Sequence, residues 1–239
     1  MMNKAQTEPQ FIVIVPAAGV GKRMLASCPK QYLEIDNQSI LAHTTNRLLS
    51  HPKIVKVIIV LSDEDDYFSQ TELAGKTDVI RVSGGKERVD SVLNGLSTID
   101  AQQYPWVLVH DAARPCVTHE DIDKLLEQCL KSHCGGLLAA QVVDTMKQSS
   151  KADLNAVGST IDRNNLWHAF TPQMYQTIEL KQAIEQALAQ GKEVTDESSA
   201  IELANLPSLL VQGRRDNIKI TRPEDLALAT FYLAQQKLN

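Results

Sequence analysis

The chain reads as an α/β fold: a mostly parallel, twisted sheet with helices on both faces and an extended β-arm. Three observations predict it. Short runs of apolar, β-branched residues alternate with amphipathic helical segments along most of the 239 residues. The runs are apolar throughout rather than every second residue, which suits strands buried on both faces. Small residues and glycines follow several of them, where a parallel sheet presents the carboxyl ends of its strands.

The elements follow in order. Phe11-Ile-Val-Ile-Val15 has five apolar residues, four of them β-branched, and Pro16 ends the ladder because it has no N–H to donate. Ser39 caps a helix running to about His51, and Val55–Leu61 is the next strand. Asp63 is expected to cap a second helix through Leu73, followed by a short strand near Asp78–Val82. Gly84-Gly85 opens a helix over Glu87–Ile99, whose Val89, Val92, Leu93 and Leu96 share one face. Trp106–Val109 is another buried strand, Thr118 starts a helix over 119–131, and Leu137–Val143 returns to strand.

The alternation breaks between Asp144 and about Tyr175, and residues 142–163 read as an arm or hairpin. Helices are expected at Thr177–Gln190, closed by Gly191, and at Thr195–Ala204 with Asp196 and Glu197 in its first turn. Leu209–Val211 and Asn217–Ile220 read as late strands, and Thr221-Arg-Pro-Glu224 as a capping box for the last helix. Residues 1–239 are therefore read as a single Rossmann-like domain with a protruding arm around 142–163.

Composition excludes several classes. A net charge of −5 argues against nonspecific nucleic-acid or anionic-membrane binding, which needs a basic face. Met1–Gln10 lacks the apolar core of a signal peptide, and no apolar run approaches the roughly 20 residues needed to span a bilayer. Cys28, Cys116, Cys129 and Cys134 have no zinc spacing and read as reduced thiols, three of them buried. The expectation is a soluble cytoplasmic protein.

Against that acidic background a basic cluster stands out. Pro16-Ala-Ala-Gly-Val-Gly-Lys-Arg-Met24 lets backbone N–H groups approach a ligand, and Lys22, Arg23 and Lys30 surround the turn. This pattern suits a polyphosphate. A P-loop fits poorly, because Arg23 follows Lys22 where a hydroxyl is needed. A dinucleotide fingerprint fits poorly too: Met24 stands at its third glycine position, and the ribose-binding acid is missing from Asn37-Gln-Ser-Ile40. Downstream, a buried strand delivers Asp111 to its carboxyl end beside Arg114, where one carboxylate can share Mg2+ with substrate phosphates. Asp111 as a plain turn cap is about equally plausible on its own. Gly84-Gly85 with Arg88 and Ser91 reads either as a second ligand turn or as a solvated helix start. Lys219, between two isoleucines, reads by default as solvent-facing. The histidines have no metal spacing and read as structural.

Taken together, Pro16–Met24, Cys28-Pro-Lys-Gln-Tyr32, Gly84-Gly85 with Arg88 and Ser91, His110-Asp-Ala-Ala-Arg-Pro115, Asp144-Thr-Met-Lys147, Asp162-Arg-Asn-Asn-Leu-Trp167, Thr171-Pro-Gln173, Thr195-Asp-Glu197 and Asn217-Ile-Lys-Ile-Thr-Arg-Pro223 resemble the 2-C-methyl-D-erythritol 4-phosphate cytidylyltransferase family, from about Phe11 to the last helix. The resemblance implies attack by the phosphate of methylerythritol phosphate on the α-phosphorus of CTP, with release of pyrophosphate. It implies that Arg23 and Lys30 stabilise charge at the α-phosphate, and that Asp111 holds Mg2+. Ala17, Ala18 and Gly19 would supply backbone contacts, while Gly85, Arg88 and Ser91 would form the cytidine side. Arg163 and Lys219 would orient the sugar phosphate, with Thr145, Thr171 and Thr195 as hydroxyl donors and Arg114 as a further substrate contact. It also implies a homodimer in which the arm reaches the neighbouring subunit. Three other readings stand beside it: a ribitol 5-phosphate cytidylyltransferase, a non-catalytic nucleotide sensor and, last, a dehydrogenase.

Overall fold

The computed structural model describes residues 9–19 and 28–237. Its main sheet has seven strands: β1 (Phe11–Pro16), β4 (Ile54–Leu61), β5 (Val79–Ser83), β6 (Trp106–Val109), β7 (Gly136–Gln141), β10 (Trp167–Gln176) and β11 (Leu209–Gln212), in the order β11-β7-β10-β6-β1-β4-β5. Two two-residue strands, β2 (Glu34–Ile35) and β3 (Gln38–Ser39), form a separate pair, as do β8 (Met146–Ser149) and β9 (Val157–Ile161). Among the described residues the α-helices are α1 (Ile40–Leu49), α2 (Arg88–Leu96), α3 (His119–Ser132), α4 (Thr177–Ala189), α5 (Glu197–Leu203) and α6 (Pro223–Gln236).

Period-two alternation sorts the sheet's side chains into two cores. Val13, Val15, Val57, Ile59 and Leu108 pack on one face with Leu41 and Leu48 of α1 and with Ile122, Leu125 and Leu126 of α3. Ile12, Ile14, Ile58, Val107 and Val109 pack on the other with Val92 and Leu96 of α2, Leu180 and Ile184 of α4 and Ile201 of α5. Each such side chain taken out of water contributes about 1.5–3 kcal/mol, which explains why the central strands are apolar throughout. A third cluster joins Ala229 and Leu233 of α6 to Ile40, Cys116 and Ile220. Cys116 and Cys129 are buried, while Cys28 and Cys134 are only partly covered, so two thiols rather than three lie in the interior.

Several caps match the sequence reading. The Ser39 hydroxyl accepts from Ala42 N and that of Thr118 from Asp121 N. The last helix begins one residue later than its expected box: Asp225 accepts from the N–H groups of Thr221 and Arg222 and from the Thr221 hydroxyl, and Pro223 occupies the first turn.

Three expectations are corrected. The helix over Asp63–Leu73 is instead two 3-10 turns, Phe68–Gln70 and Glu72–Gly75. Asp65 accepts from Phe68 N and from the Tyr32 hydroxyl at 2.8 and 2.9 Å, so its carboxylate anchors a turn to the core rather than starting a longer helix. Asn217–Ile220 is no strand. Asn217 N and Ile218 N instead close local turns on Arg214 O and Asp216 O, and Ile220 N reaches across to Ala113 O. The irregular stretch before Tyr175 contains β10, which pairs antiparallel with both β6 and β7 in the middle of the sheet. The 142–163 segment does form a hairpin, β8 against β9, with nearly every residue exposed.

β1 pairs in parallel with β4 on one side and β6 on the other, so the chain order reverses between β1 and β6. An open α/β sheet carries its ligands above the strand ends at such a point.

Candidate active site

A cleft of about 290 Å³ opens at that reversal. One wall is the turn after β1, Pro16–Gly19; another is Gly85–Arg88 with Ser91 at the start of α2; the floor is Asp111–Ala113 after β6, with Lys30 and Lys219 at the sides. Local structure fixes each wall. Ala17 N continues the ladder to Val60 O, and the buried Gln31 amide donates to Ala17 O at 2.8 Å. Gly85 N donates to the Ser91 hydroxyl at 3.1 Å, which closes the turn onto the helix. A Cβ on Gly85 would sit 2.2 Å from Asp90 Cβ, so the turn requires glycine for close approach.

Asp111 is the electrostatic centre. Its Oδ1 faces Arg88 Nη2 at 3.2 Å, and its Oδ2 faces Lys219 Nζ at 2.8 Å and Arg114 Nε at 3.4 Å. Burial alone would favour the neutral acid, but Arg88, Lys219 and Arg114 outweigh it and hold the carboxyl well below the usual carboxylate range. Arg88 in turn reaches Glu197, Nη1 to Oε1 at 2.7 Å. Burial would weaken the Arg88 charge, yet the Glu197 and Asp111 carboxylates overcome that and raise its pKa. Burial lowers the pKa of Arg114, which Asp111 partly offsets; its Nη1 donates to Asn217 O at 2.8 Å and its guanidinium lies over the Phe170 ring. Lys219 is the most exposed of the three cations, with 38% of its side chain accessible.

Behind Asp111 runs a closed relay. Asp111 N donates to the Thr171 hydroxyl at 3.0 Å, and that hydroxyl lies 3.0 Å from His110 Nδ1. His110 Nε2 lies 3.0 Å from Arg114 O, a group that only accepts, so Nε2 carries the proton and Thr171 donates to Nδ1. Burial pushes the His110 pKa down to about 4, in keeping with a neutral ring. The histidine is therefore structural, as the sequence reading holds. The Thr171 hydroxyl is already committed to His110, which differs from the expected free hydroxyl donor toward substrate.

The cleft brings together Ala17, Ala18, Gly19, Lys30, Gly85, Arg88, Ser91, Asp111 and Lys219. Arg114 and Thr171 lie directly beneath, through their bonds to Asp111. Arg23 lies outside the described residues. Thr145, Arg163 and Thr195 do not line the cleft: Thr145 and Arg163 are exposed on the arm, where Arg163 Nη1 donates to Val143 O, and Thr195 is exposed just before α5. Sequence reasoning assigned no role to Glu197 or Asn217. Glu197 read as a first-turn acid favoured by the helix dipole. Asn217 is buried, donates to Thr171 O at 2.8 Å and has an Oδ1 with no hydrogen-bond partner. Among the described residues no group of three or more His, Cys, Asp or Glu is arranged to hold a metal, and no helix is long and apolar enough to cross a membrane.

A switch-point cleft with a small-residue turn, a strand-end aspartate and converging cations defines a nucleotidyltransferase. The comparisons narrow the class. The family model for 2-C-methyl-D-erythritol 4-phosphate cytidylyltransferase (IspD) matches residues 11–235, and the chain belongs to that family. It is 62% identical to the 2-C-methyl-D-erythritol 4-phosphate cytidylyltransferase of Colwellia psychrerythraea, over 96% of this chain and 97% of the relative. It is 52% identical to that of Vibrio vulnificus, over 98% of both chains. Among solved structures, that of the Francisella tularensis 2-C-methyl-D-erythritol 4-phosphate cytidylyltransferase superposes with a TM-score of 0.79 at 34% identity, covering 93% of this chain and 99% of the other. A crystal structure of 4-diphosphocytidyl-2C-methyl-D-erythritol synthase gives a TM-score of 0.80 at 32% identity, covering 95% and 99%.

Proposed function

We propose that this cleft transfers the cytidylyl group of CTP to 2-C-methyl-D-erythritol 4-phosphate, in non-mevalonate isoprenoid biosynthesis. An oxygen of the acceptor phosphate attacks the α-phosphorus in line. The bond from that phosphorus to the bridging oxygen breaks, and the electron pair leaves with pyrophosphate. The products are 4-diphosphocytidyl-2-C-methyl-D-erythritol and pyrophosphate. A phosphate monoester, with a second pKa of about 6, is mostly dianionic at neutral pH and needs no protein base. The neutral, fully bonded His110 agrees with that. The obstacle is repulsion between two anions, so rate comes from positioning and charge neutralisation.

The observation that carries the reading is the convergence of Arg88, Arg114 and Lys219 on Asp111 in a cleft walled by Ala17–Gly19 and Lys30. Lys30 and Arg23 neutralise charge developing around the α-phosphate. Backbone N–H groups of the Ala17–Gly19 turn approach the triphosphate, and the Gly85–Ser91 wall takes the cytidine. Lys219 and Arg163 hold the acceptor phosphate, with Thr145, Thr195 and Arg114 as further contacts.

Nucleotidyltransferases of this type generally use a divalent cation, and the donor set here fits Mg2+. Asp111 is a hard, ionised oxygen ligand on the cleft floor, and Mg2+ commonly takes one or two carboxylates while phosphate and water complete its shell. When bound, the ion neutralises triphosphate charge.

The reading includes a homodimer and a cytoplasmic location. Val143, Leu154 and Val157 expose apolar side chains on a two-stranded hairpin, an element of marginal stability alone. A second copy would cover them and would bring Thr145 and Arg163 to the neighbouring cleft. One assay tests the chemistry: pyrophosphate release from each nucleoside triphosphate with each candidate acceptor. CTP with methylerythritol phosphate is expected to give the fastest turnover. Equal or faster turnover with ribitol 5-phosphate would overturn the acceptor, and CTP binding without turnover on any acceptor would make the chain a sensor.

A further inference from the structure

Glu197 lies on the far side of Arg88 from Asp111, at the start of α5, and is almost completely buried. The two carboxylates divide one guanidinium unequally. Glu197 takes Nη1 at 2.7 Å and Nη2 at 3.2 Å, a bidentate grip. Asp111 receives Nε at 3.3 Å and Nη2 at 3.2 Å, both on Oδ1 and both long for a charged pair. The shorter contact therefore goes to Glu197. Charge points the same way: Arg88, Arg114 and Lys219 outnumber Asp111 and Glu197 by three to two, so Glu197 limits the positive field at the cleft floor.

We propose that Glu197 is a positioning residue that holds Arg88 back from Asp111 and thereby sets how tightly Asp111 takes a divalent cation. The inference rests on Asp111 as the cation ligand of the proposed reaction. Without the Glu197 charge, Arg88 closes on Asp111 and the local field becomes more positive. Both effects weaken cation binding.

The test is Mn2+ affinity of the full chain, read from water-proton relaxation with a CTP analogue carrying a methylene group between the α and β phosphorus atoms. Glu197→Gln keeps the side-chain shape and is expected to bind Mn2+ roughly tenfold more weakly. An affinity within twofold of wild type, in folded protein, overturns the proposal. The Arg88→Gln/Glu197→Gln double variant removes both charges and stands in if the single variant does not fold; because Arg88 also borders the cytidine wall, every variant is read at saturating CTP analogue. It is expected to bind Mn2+ at least as tightly as wild type, because the cation that Glu197 restrains is gone. Fivefold weaker binding in the double variant would mean that Glu197 does not act through Arg88, and the proposal fails. Asp111→Asn separates the two readings. If it leaves Mn2+ binding unchanged, the metal assignment itself falls and the Glu197 role with it. If it abolishes the site while Glu197→Gln changes nothing, only the Glu197 role falls.

Discussion

His110 supplies a stability prediction whose size follows from the structure. The ring is wholly buried, bonded at both nitrogens and neutral, with a pKa lowered to about 4 chiefly by burial. An unfolded histidine titrates near pH 6.5. Below that pH the unfolded chain binds a proton that the folded chain refuses, so stability is complete above about 6.5 and falls as the pH drops toward 4. At about 1.36 kcal/mol per pH unit, the 1.5 units from about 6.5 to 5 give a loss of about 2 kcal/mol. The perturbation is His110→Gln, which cannot titrate. Urea unfolding of both proteins at pH 7 and pH 5, at one protein concentration, should show the wild type losing about 2 kcal/mol more than the variant. His51, also buried with a lowered pKa, titrates in both proteins and cancels in the difference. Equal losses in the two proteins would refute the neutral relay behind Asp111.

Two further outcomes follow from geometry. Gly85→Ala places a Cβ 2.2 Å from Asp90 Cβ, so the turn must open; a CTP affinity at least roughly tenfold weaker is expected by calorimetry, and wild-type affinity would separate this turn from the nucleotide. Arg163→Ala and Lys30→Ala chains, each inactive alone, should regain activity when mixed if the arm serves the neighbouring cleft; verified mixed dimers without activity would exclude that arrangement.

Legibility in the sequence followed the range of the interactions. β1, β4 and β6 were readable because burial on both faces leaves an unbroken apolar run. The starts of α1 and α3 were readable because Ser39 and Thr118 bond only three residues ahead. β10 was missed: its first four residues, Trp167–Phe170, are exposed or only half-buried, and its place in the centre of the sheet depends on strands far away in sequence. The Asp63 helix failed because the Asp65 carboxylate is taken by Tyr32, 33 residues distant. Asp111 was visible as an acid ending a buried strand. Lys219 read as solvent-facing because its partner is brought to it by folding alone. Glu197 was legible only as a first-turn acid of α5, since its partner Arg88 meets it across 109 residues.

The central claim is that cations around one cleft offset the repulsion between CTP and a phosphate nucleophile. It is tested most directly by kcat at saturating CTP, acceptor and Mg2+ for Lys30→Ala and Lys219→Ala. Falls of at least roughly 10²-fold, about 2.7 kcal/mol of transition-state stabilisation, are expected with thermal unfolding unchanged. Turnover near wild type in either variant would contradict the role given to that lysine, and in both it would contradict the mechanism.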